Sequence, residues 1–107
     1  MPTKPVSIKL TDGKERTLRF DWEAVCRFED EFGYSVIEVG KRLGMGNISF
    51  LDVTRAIWAG LLHEEKPMSF LEVRKLLSLD DFFHYLKAIS PAISEAIPTE
   101  KEAGKNA

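Results

Sequence analysis

Cysteine and histidine are scarce in this sequence, which contains one cysteine, Cys26, and two histidines among 107 residues. A single cysteine excludes an internal disulfide, and three such residues cannot form a closed zinc site without carboxylates or a second subunit. Cys26 has no histidine near it in the sequence. His63 precedes two glutamates, but Pro67 stands where the metalloprotease motif needs its second histidine. We therefore expect no enzymatic activity, no metal and no cofactor.

Long apolar runs and a targeting segment are also missing. The longest apolar run covers residues 56–62, far short of the roughly 20 residues that a membrane-spanning helix needs. The first five residues are not typical of a signal peptide. Together with the lack of a disulfide, these absences predict a soluble protein of a reducing cytoplasm without membrane contact.

The net charge of −2 argues against a general binder of polyanions. The charge is uneven, however, because the first 19 residues carry five basic and two acidic side chains. Such charges either solvate the outer face of strands and protect an exposed edge, or steer an anionic partner such as a nucleic acid. Both interpretations stay open, and the nucleic-acid partner is the less favoured.

The beginning of the chain has the pattern of a β-hairpin. Residues 6–10 and 15–20 alternate between apolar and polar side chains, and Asp12-Gly13 between them favours a tight turn. The apolar side chains expected to share one face are Val6, Ile8, Leu10, Leu18 and Phe20. Two strands alone are marginally stable, so this face must pack on helices or on another subunit. The strand edge also allows a homo-oligomer by pairing with a second copy, with a monomer as the alternative.

After residue 20 the apolar period changes from two to about 3.6, which is typical of helices. Ser35 with Glu38, and Ser69 with Glu72, have the spacing of capping boxes at helix N-termini. The pattern predicts five helices, at residues 22–32, 36–43, 50–63, 70–77 and 80–97.

Glycine and proline residues mark interruptions between and within these helices. Gly33 ends the first helix, and residues 44–47 form a flexible break after the second. Pro91 removes a backbone donor from the last helix, so we expect a kink or a restart capped by Ser90. The chain is therefore predicted to be one α+β domain, mainly α, at residues 1–98 (hairpin 6–20, helical body 21–98), with a disordered tail at 99–107.

The last predicted helix carries more apolar side chains than a small core needs. Its stripe consists of Leu79, Phe82, Phe83, Leu86, Ile89, Ile93 and Ile97. One interpretation places all of them in the core. The other leaves part of the stripe as a groove or patch that holds an apolar helix of a partner.

Residues 18–33 resemble the opening of the tail assembly chaperones of long-tailed bacteriophages and gene transfer agents. In that family a short hairpin leads into a helix with a Phe-Glu-x-x-x-Gly ending, here residues 28–33. A helix with a Leu/Ile-Trp-Ala-Gly-Leu pattern follows at residues 57–61, and then a short Ser-x-x-Glu-Val helix at residues 69–73. The sequence departs from the family at Pro91, which interrupts a final helix that is usually continuous.

The resemblance implies a non-enzymatic protein of the bacterial host cytoplasm. Chaperones of this family coat the long, apolar, helical tape measure protein before the tail tube polymerises around it, and are then displaced. The tape measure protein is thus the expected partner, and the major tail tube protein is a second candidate. Displacement requires weak individual sites, so affinity should come from many copies. We place the contacting surface on the last helix, at Phe83, Leu86, Ile89, Ile93 and Ile97.

Two other classes of function stay open at this point. The first is a structural tail or connector component that is retained in the virion. Mass spectrometry of purified particles separates it from a chaperone, which is absent from them. The second, less favoured, is a small nucleic-acid-binding regulator that uses the basic hairpin. Its DNA binding would fall steeply as ionic strength rises.

Overall fold

The computed structural model describes residues 6–96, which form an N-terminal hairpin followed by five α-helices. This architecture confirms the predicted α+β class, mainly α. Ile97 and the tail at residues 99–107, predicted to be disordered, lie outside the described residues. The elements are β1 (Val6–Lys9), β2 (Glu15–Leu18), α1 (Trp22–Phe32), α2 (Val36–Met45), α3 (Phe50–Gly60), α4 (Phe70–Lys75) and α5 (Phe82–Ala96), with a 3₁₀ turn (Leu79–Asp81) before α5.

The predicted hairpin forms, with strands that end at Lys9 and Leu18. Val6 pairs with Leu18 and Lys9 with Glu15 in an antiparallel ladder. The turn contains Gly13 at a φ of 81°, a conformation that glycine adopts without the steric cost of a side chain. Its apolar face is buried against α3 and α5, and four side chains of this face belong to the core: Ile8, Leu10, Leu18 and Phe20.

The hairpin lies so close to the end of α3 that a side chain at Gly60 has no room. The Gly60 carbonyl accepts a hydrogen bond from the backbone N–H of Arg19 at 2.8 Å. A Cβ atom at Gly60 would lie 2.9 Å from Cδ2 of Leu18 and 3.3 Å from Cζ of Phe20. The glycine therefore allows the second strand to pack directly on the helix backbone.

We expect Gly60→Ala to lower the free energy of unfolding by about 1–3 kcal/mol, because the added methyl group overpacks this contact. Gly44→Ala is the matched control. Gly44 is also helical, but a Cβ atom there meets nothing within 4 Å, so alanine should be neutral or stabilising. Urea denaturation of both variants measures the difference. Equal effects at the two positions would contradict this account of the packing.

The helix starts follow local capping chemistry. Side chains of Asp21, Ser35, Ser49 and Ser69 accept hydrogen bonds from backbone N–H groups at the starts of the first four helices. The predicted box at Ser69 forms, with both reciprocal hydrogen bonds. At Ser35 only the hydrogen bond from the Glu38 N–H forms, and the Glu38 carboxylate instead lies 3.4 Å from Nε of Arg42. A full box also forms at Ser49 with Asp52, a pair with the same three-residue spacing as Ser69 and Glu72.

Several predicted helix ends require correction. The second helix includes Gly44 and Met45, and Gly46 in a left-handed conformation ends it. Residues 61–63 form a turn rather than the last turn of α3, and α4 ends at Lys75. The last helix runs through Pro91 without a restart, and Ser90 lies inside it. Pro91 is exposed while the adjacent Ala92 and Ile93 are buried, so packing of the opposite face holds the helix together.

Candidate functional site

The structure describes four of the five predicted contact residues, and these four differ in exposure. Phe83 is exposed, at 73% of its maximum accessible area, and Leu86 is half-buried. Ile89 and Ile93 belong to the buried core, so they are not available to a partner in this conformation. Ile97 lies outside the described residues. The predicted stripe was therefore too wide, because it combined the core-facing side of α5 with an adjacent exposed side.

The core-facing side of α5 includes residues that the apolar pattern did not mark. Tyr85 is buried, and its hydroxyl accepts a hydrogen bond from the backbone N–H of Ser78 at 3.0 Å. Ala88 and Ala92 are also buried there. Alanine packs closely but contributes little apolar area. A stripe drawn through the large apolar side chains is therefore displaced from the face of α5 that is buried. The true centre of the buried face lies near Ile89.

An exposed apolar cluster lies where α3 and α5 begin. Phe50 and Leu79 are 60% and 76% exposed. The ring of Phe50 lies 4.8 Å from that of Phe82, which in turn lies 5.6 Å from that of Phe83. The helical spacing of Phe50 with Val53 and Ile57 predicts a core position for all three, and the exposure of Phe50 corrects that expectation. We call Phe50, Leu79, Phe82 and Phe83 the aromatic end.

Beside the aromatic end, an open cleft of about 570 Å³ runs between α2 and α5. We call this cleft the groove. It is narrow enough at one point that a Cβ atom at Gly40 would lie 3.6 Å from Cγ2 of Ile93, whereas Gly44 faces open space. Its lining includes Gly40, Leu43 and Gly44 from α2, and Leu86, Ser90 and Ile93 from α5.

The aromatic end and the groove form one continuous surface. Phe83, Leu86, Ser90 and Ser94 are spaced three or four residues apart along one side of α5, and Leu79 precedes them in the 3₁₀ turn. Four of them are exposed and Leu86 is half-buried. At 1.5 Å per residue this side is about 22 Å long, or about four helical turns. We call the combined aromatic end and groove the α5 surface.

A buried carboxylate fixes the helix that forms the other wall of the groove. Asp52, at the start of α3, is 1% exposed. It accepts hydrogen bonds from the Tyr34 hydroxyl, from Nη1 of Arg42 at 2.8 Å and from the backbone N–H of Ser49 at 3.1 Å. Arg42 belongs to α2, so this contact ties α2 to α3. No local pattern in the sequence indicates these contacts, because Arg42 and Tyr34 are 10 and 18 residues away from Asp52.

The electrostatics of this cluster favour an ionised Asp52. Burial acts to raise the pKa of Asp52, but hydrogen bonds from Tyr34, Ser49 and Arg42 outweigh it and hold the pKa below the ordinary value of 3.8. Burial and the hydrogen bond to Asp52 raise the pKa of Tyr34. The guanidinium group of Arg42 also lies 4.8 Å from the centre of the Tyr34 ring. The cluster therefore stabilises the packing of α2 against α3.

The basic hairpin is partly neutralised within the fold. The guanidinium of Arg16 donates hydrogen bonds of 3.0 and 2.7 Å to the carboxylate of Asp12. This contact is the main reason that the pKa of Asp12 falls to about 2. Lys9, Lys14 and Arg19 are exposed and form no ion pair with residues 6–96. The hairpin therefore presents less positive charge than its sequence indicates.

The outer edge of the second strand is covered by the turn that follows α3. Nε2 of His63 lies 2.6 Å from the Thr17 carbonyl and donates to it. On the same edge, the backbone N–H of Arg19 donates a hydrogen bond to the Gly60 carbonyl. At the first strand, the N–H of Thr11 donates to the Leu76 carbonyl at 2.9 Å. A homo-oligomer through the hairpin edge stays a prediction, with only a short stretch near Ser7 and Lys9 left to pair.

The part of the chain that the structure describes contains neither a metal-binding cluster nor a membrane-spanning helix. Residues 6–96 contain no cluster of three or more histidine, cysteine or acidic side chains suited to a metal ion. None of their helices has the length and apolarity needed to cross a bilayer. In comparisons with known proteins, no family model, no curated protein and no solved structure matches this chain.

Proposed function

We propose that this chain is a tail assembly chaperone of a long-tailed bacteriophage or prophage. It would shield apolar helical segments of the tape measure protein in the cytoplasm of the bacterial host until the tail tube forms. The proposal combines the sequence resemblance with one structural observation, the exposed α5 surface. Small domains rarely leave several large apolar side chains together in solvent unless that surface binds something.

The shape of the α5 surface supports a helical partner. Its aromatic end offers exposed rings that can cover an apolar side chain, and its groove offers a cleft with glycine on one wall. An amphipathic helix presents apolar side chains at the same three- and four-residue spacing as α5, so the two can pack side by side. The surface spans about four turns, which suits repeated, individually weak binding along a long helix.

The surface also suits reversible binding. The groove is open rather than enclosed, and the exposed side of α5 includes the hydroxyl groups of Ser90 and Ser94. A partner helix would therefore keep part of its surface in water and form few buried hydrogen bonds. Affinity would accumulate over many chaperone copies on one tape measure protein, and arriving tube subunits could displace them one at a time.

The test is affinity capture of the tagged chain from a host strain that expresses the tail gene cluster encoding it. We expect mass spectrometry to identify a long helical tape measure protein among the bound proteins. Purified phage particles should lack the chain. Recovery of the chain in mature particles would instead assign it to the tail structure, and recovery of nucleic acid in place of the tape measure protein would favour a regulator.

A further inference from the structure

We propose that the groove selects a helix whose apolar stripe is bordered by acidic residues. This inference rests on the proposed function, because it specifies which tape measure segments the α5 surface would bind. Lys87 lines the groove from α5, Lys41 of α2 is next to the lining residue Gly40 in the chain, and none of the groove-lining residues is acidic. An apolar helix edged with glutamate or aspartate would therefore fit both the shape and the charge of the groove.

The two lysines belong to the two helices that form the groove. Lys87 lines the groove from α5 and is exposed. Lys41 is exposed on α2, one position after Gly40 and three before Gly44, which places it along the rim of the glycine wall. Neither lysine forms an ion pair with residues 6–96. Both charges are therefore free to meet carboxylates on an incoming helix.

The nearby carboxylates are placed where they do not cancel this charge. Glu38 of α2 is on the far side of that helix, where it contacts Arg42. Glu95 of α5 lines the separate cleft under the hairpin rather than the groove. Asp80 and Asp81 lie in the 3₁₀ turn between Leu79 and Phe82, at the aromatic end and outside the groove lining. The overall negative charge of the chain thus leaves the groove itself locally positive.

The glycine wall explains why the occupant should be a helix rather than an extended strand. Gly44 lines the α2 side of the groove, has no side chain and faces open space, so a helix backbone can approach that wall closely. The groove runs along two helices and offers no strand edge to pair with an extended chain. Side-chain packing along helical spacing is the mode of binding that remains.

The experiment uses two fluorescent 16-residue peptides with the same leucine stripe at helical spacing. One has glutamate on both sides of the stripe and the other has lysine. We expect the glutamate peptide to bind the full-length chain at least about fivefold more tightly at low ionic strength, as two exposed ion pairs predict. The difference should shrink as salt screens the charges. Fluorescence anisotropy measures both affinities.

The double variant Lys41→Glu/Lys87→Glu should reverse the preference and bind the lysine peptide more tightly. Lys9→Glu/Lys14→Glu, on the hairpin, is the matched control and should leave the preference unchanged. Equal binding of the two peptides, or a preference that survives the groove variant, would overturn the inference. Capture of the tape measure protein without any peptide preference would reject this inference alone. A preference for the glutamate peptide that the groove variant reverses, without capture of a tape measure protein, would reject only the proposed function.

Discussion

Replacing Leu79 and Phe83 together by aspartate should abolish capture of the partner helix while leaving the fold intact. Both side chains are largely exposed at the aromatic end, so their loss removes little core packing. Buried aromatic and aliphatic anchors at the centre of an interface each typically contribute enough to change affinity by about thirtyfold. We therefore expect binding to weaken at least about thirtyfold. Peptide anisotropy gives the affinity, and urea denaturation should show an unchanged midpoint.

The matched control is Trp22→Asp/Leu71→Asp. These side chains are also large, apolar and exposed, but they lie on α1 and α4, away from the α5 surface. The control should bind normally. If the control loses binding as strongly as the Leu79/Phe83 variant, then general surface apolarity, rather than the α5 surface, would account for capture.

Ile93→Asp would behave differently from the Leu79 and Phe83 changes, although the sequence placed all three in one stripe. Ile93 is buried with Ile89 in the core. A carboxylate there would have to ionise in an apolar environment or stay protonated, and either is costly. Loss of binding by that variant would therefore report unfolding rather than a lost contact.

Asp52→Ala should be among the most destabilising single changes in the chain. The substitution leaves Arg42 and the Tyr34 hydroxyl without their buried acceptor, and it removes the capping box with Ser49. The lost cap costs about 1 kcal/mol and the unsatisfied Tyr34 hydroxyl about 1–3 kcal/mol, whereas water can solvate the half-exposed Arg42 guanidinium, so the expected total is about 2–4 kcal/mol. Urea denaturation should show a loss of this size. Asp12→Ala is the control, because it removes a surface pair with Arg16 and should change stability far less.

The same carboxylate predicts a pH dependence. The pKa of Asp52 is lowered in the folded protein, so its stabilising contribution is fully present above its ordinary pKa of 3.8. The contribution is lost as the pH falls through the lower folded-state value. Asp52→Asn removes this titration, so the stability of that variant should fall less steeply below about pH 4. An acid limb as steep as that of the unsubstituted chain would show that other groups dominate acid unfolding.

Local chemistry explains which features the sequence predicted well. The turn at Asp12-Gly13 and the caps at Asp21 and Ser69 depend on residues within four positions of one another. The first helix, Trp22–Phe32, therefore has the predicted bounds. Such features can be inferred because the interacting groups are neighbours in the chain.

The candidate site was less predictable because it depends on contacts between distant segments. Phe50 has the spacing of a core residue, yet the position of α5 leaves it at the surface against Phe82. The side of α5 that is exposed is set by small residues such as Ala88, whose role depends on what packs against them. The Asp52 cluster joins residues from three parts of the chain. No periodicity within one segment encodes these arrangements.

The packing of the hairpin on α5 has a consequence for synthesis of the chain. The first strand is synthesised before all five helices, but its contacts with helices are with α5, which begins at Phe82. On the ribosome, the apolar side of this strand at Ile8 therefore stays uncovered until α5 has emerged. The core can close only after that point, and a product that stops before Phe82 would expose the hairpin to aggregation.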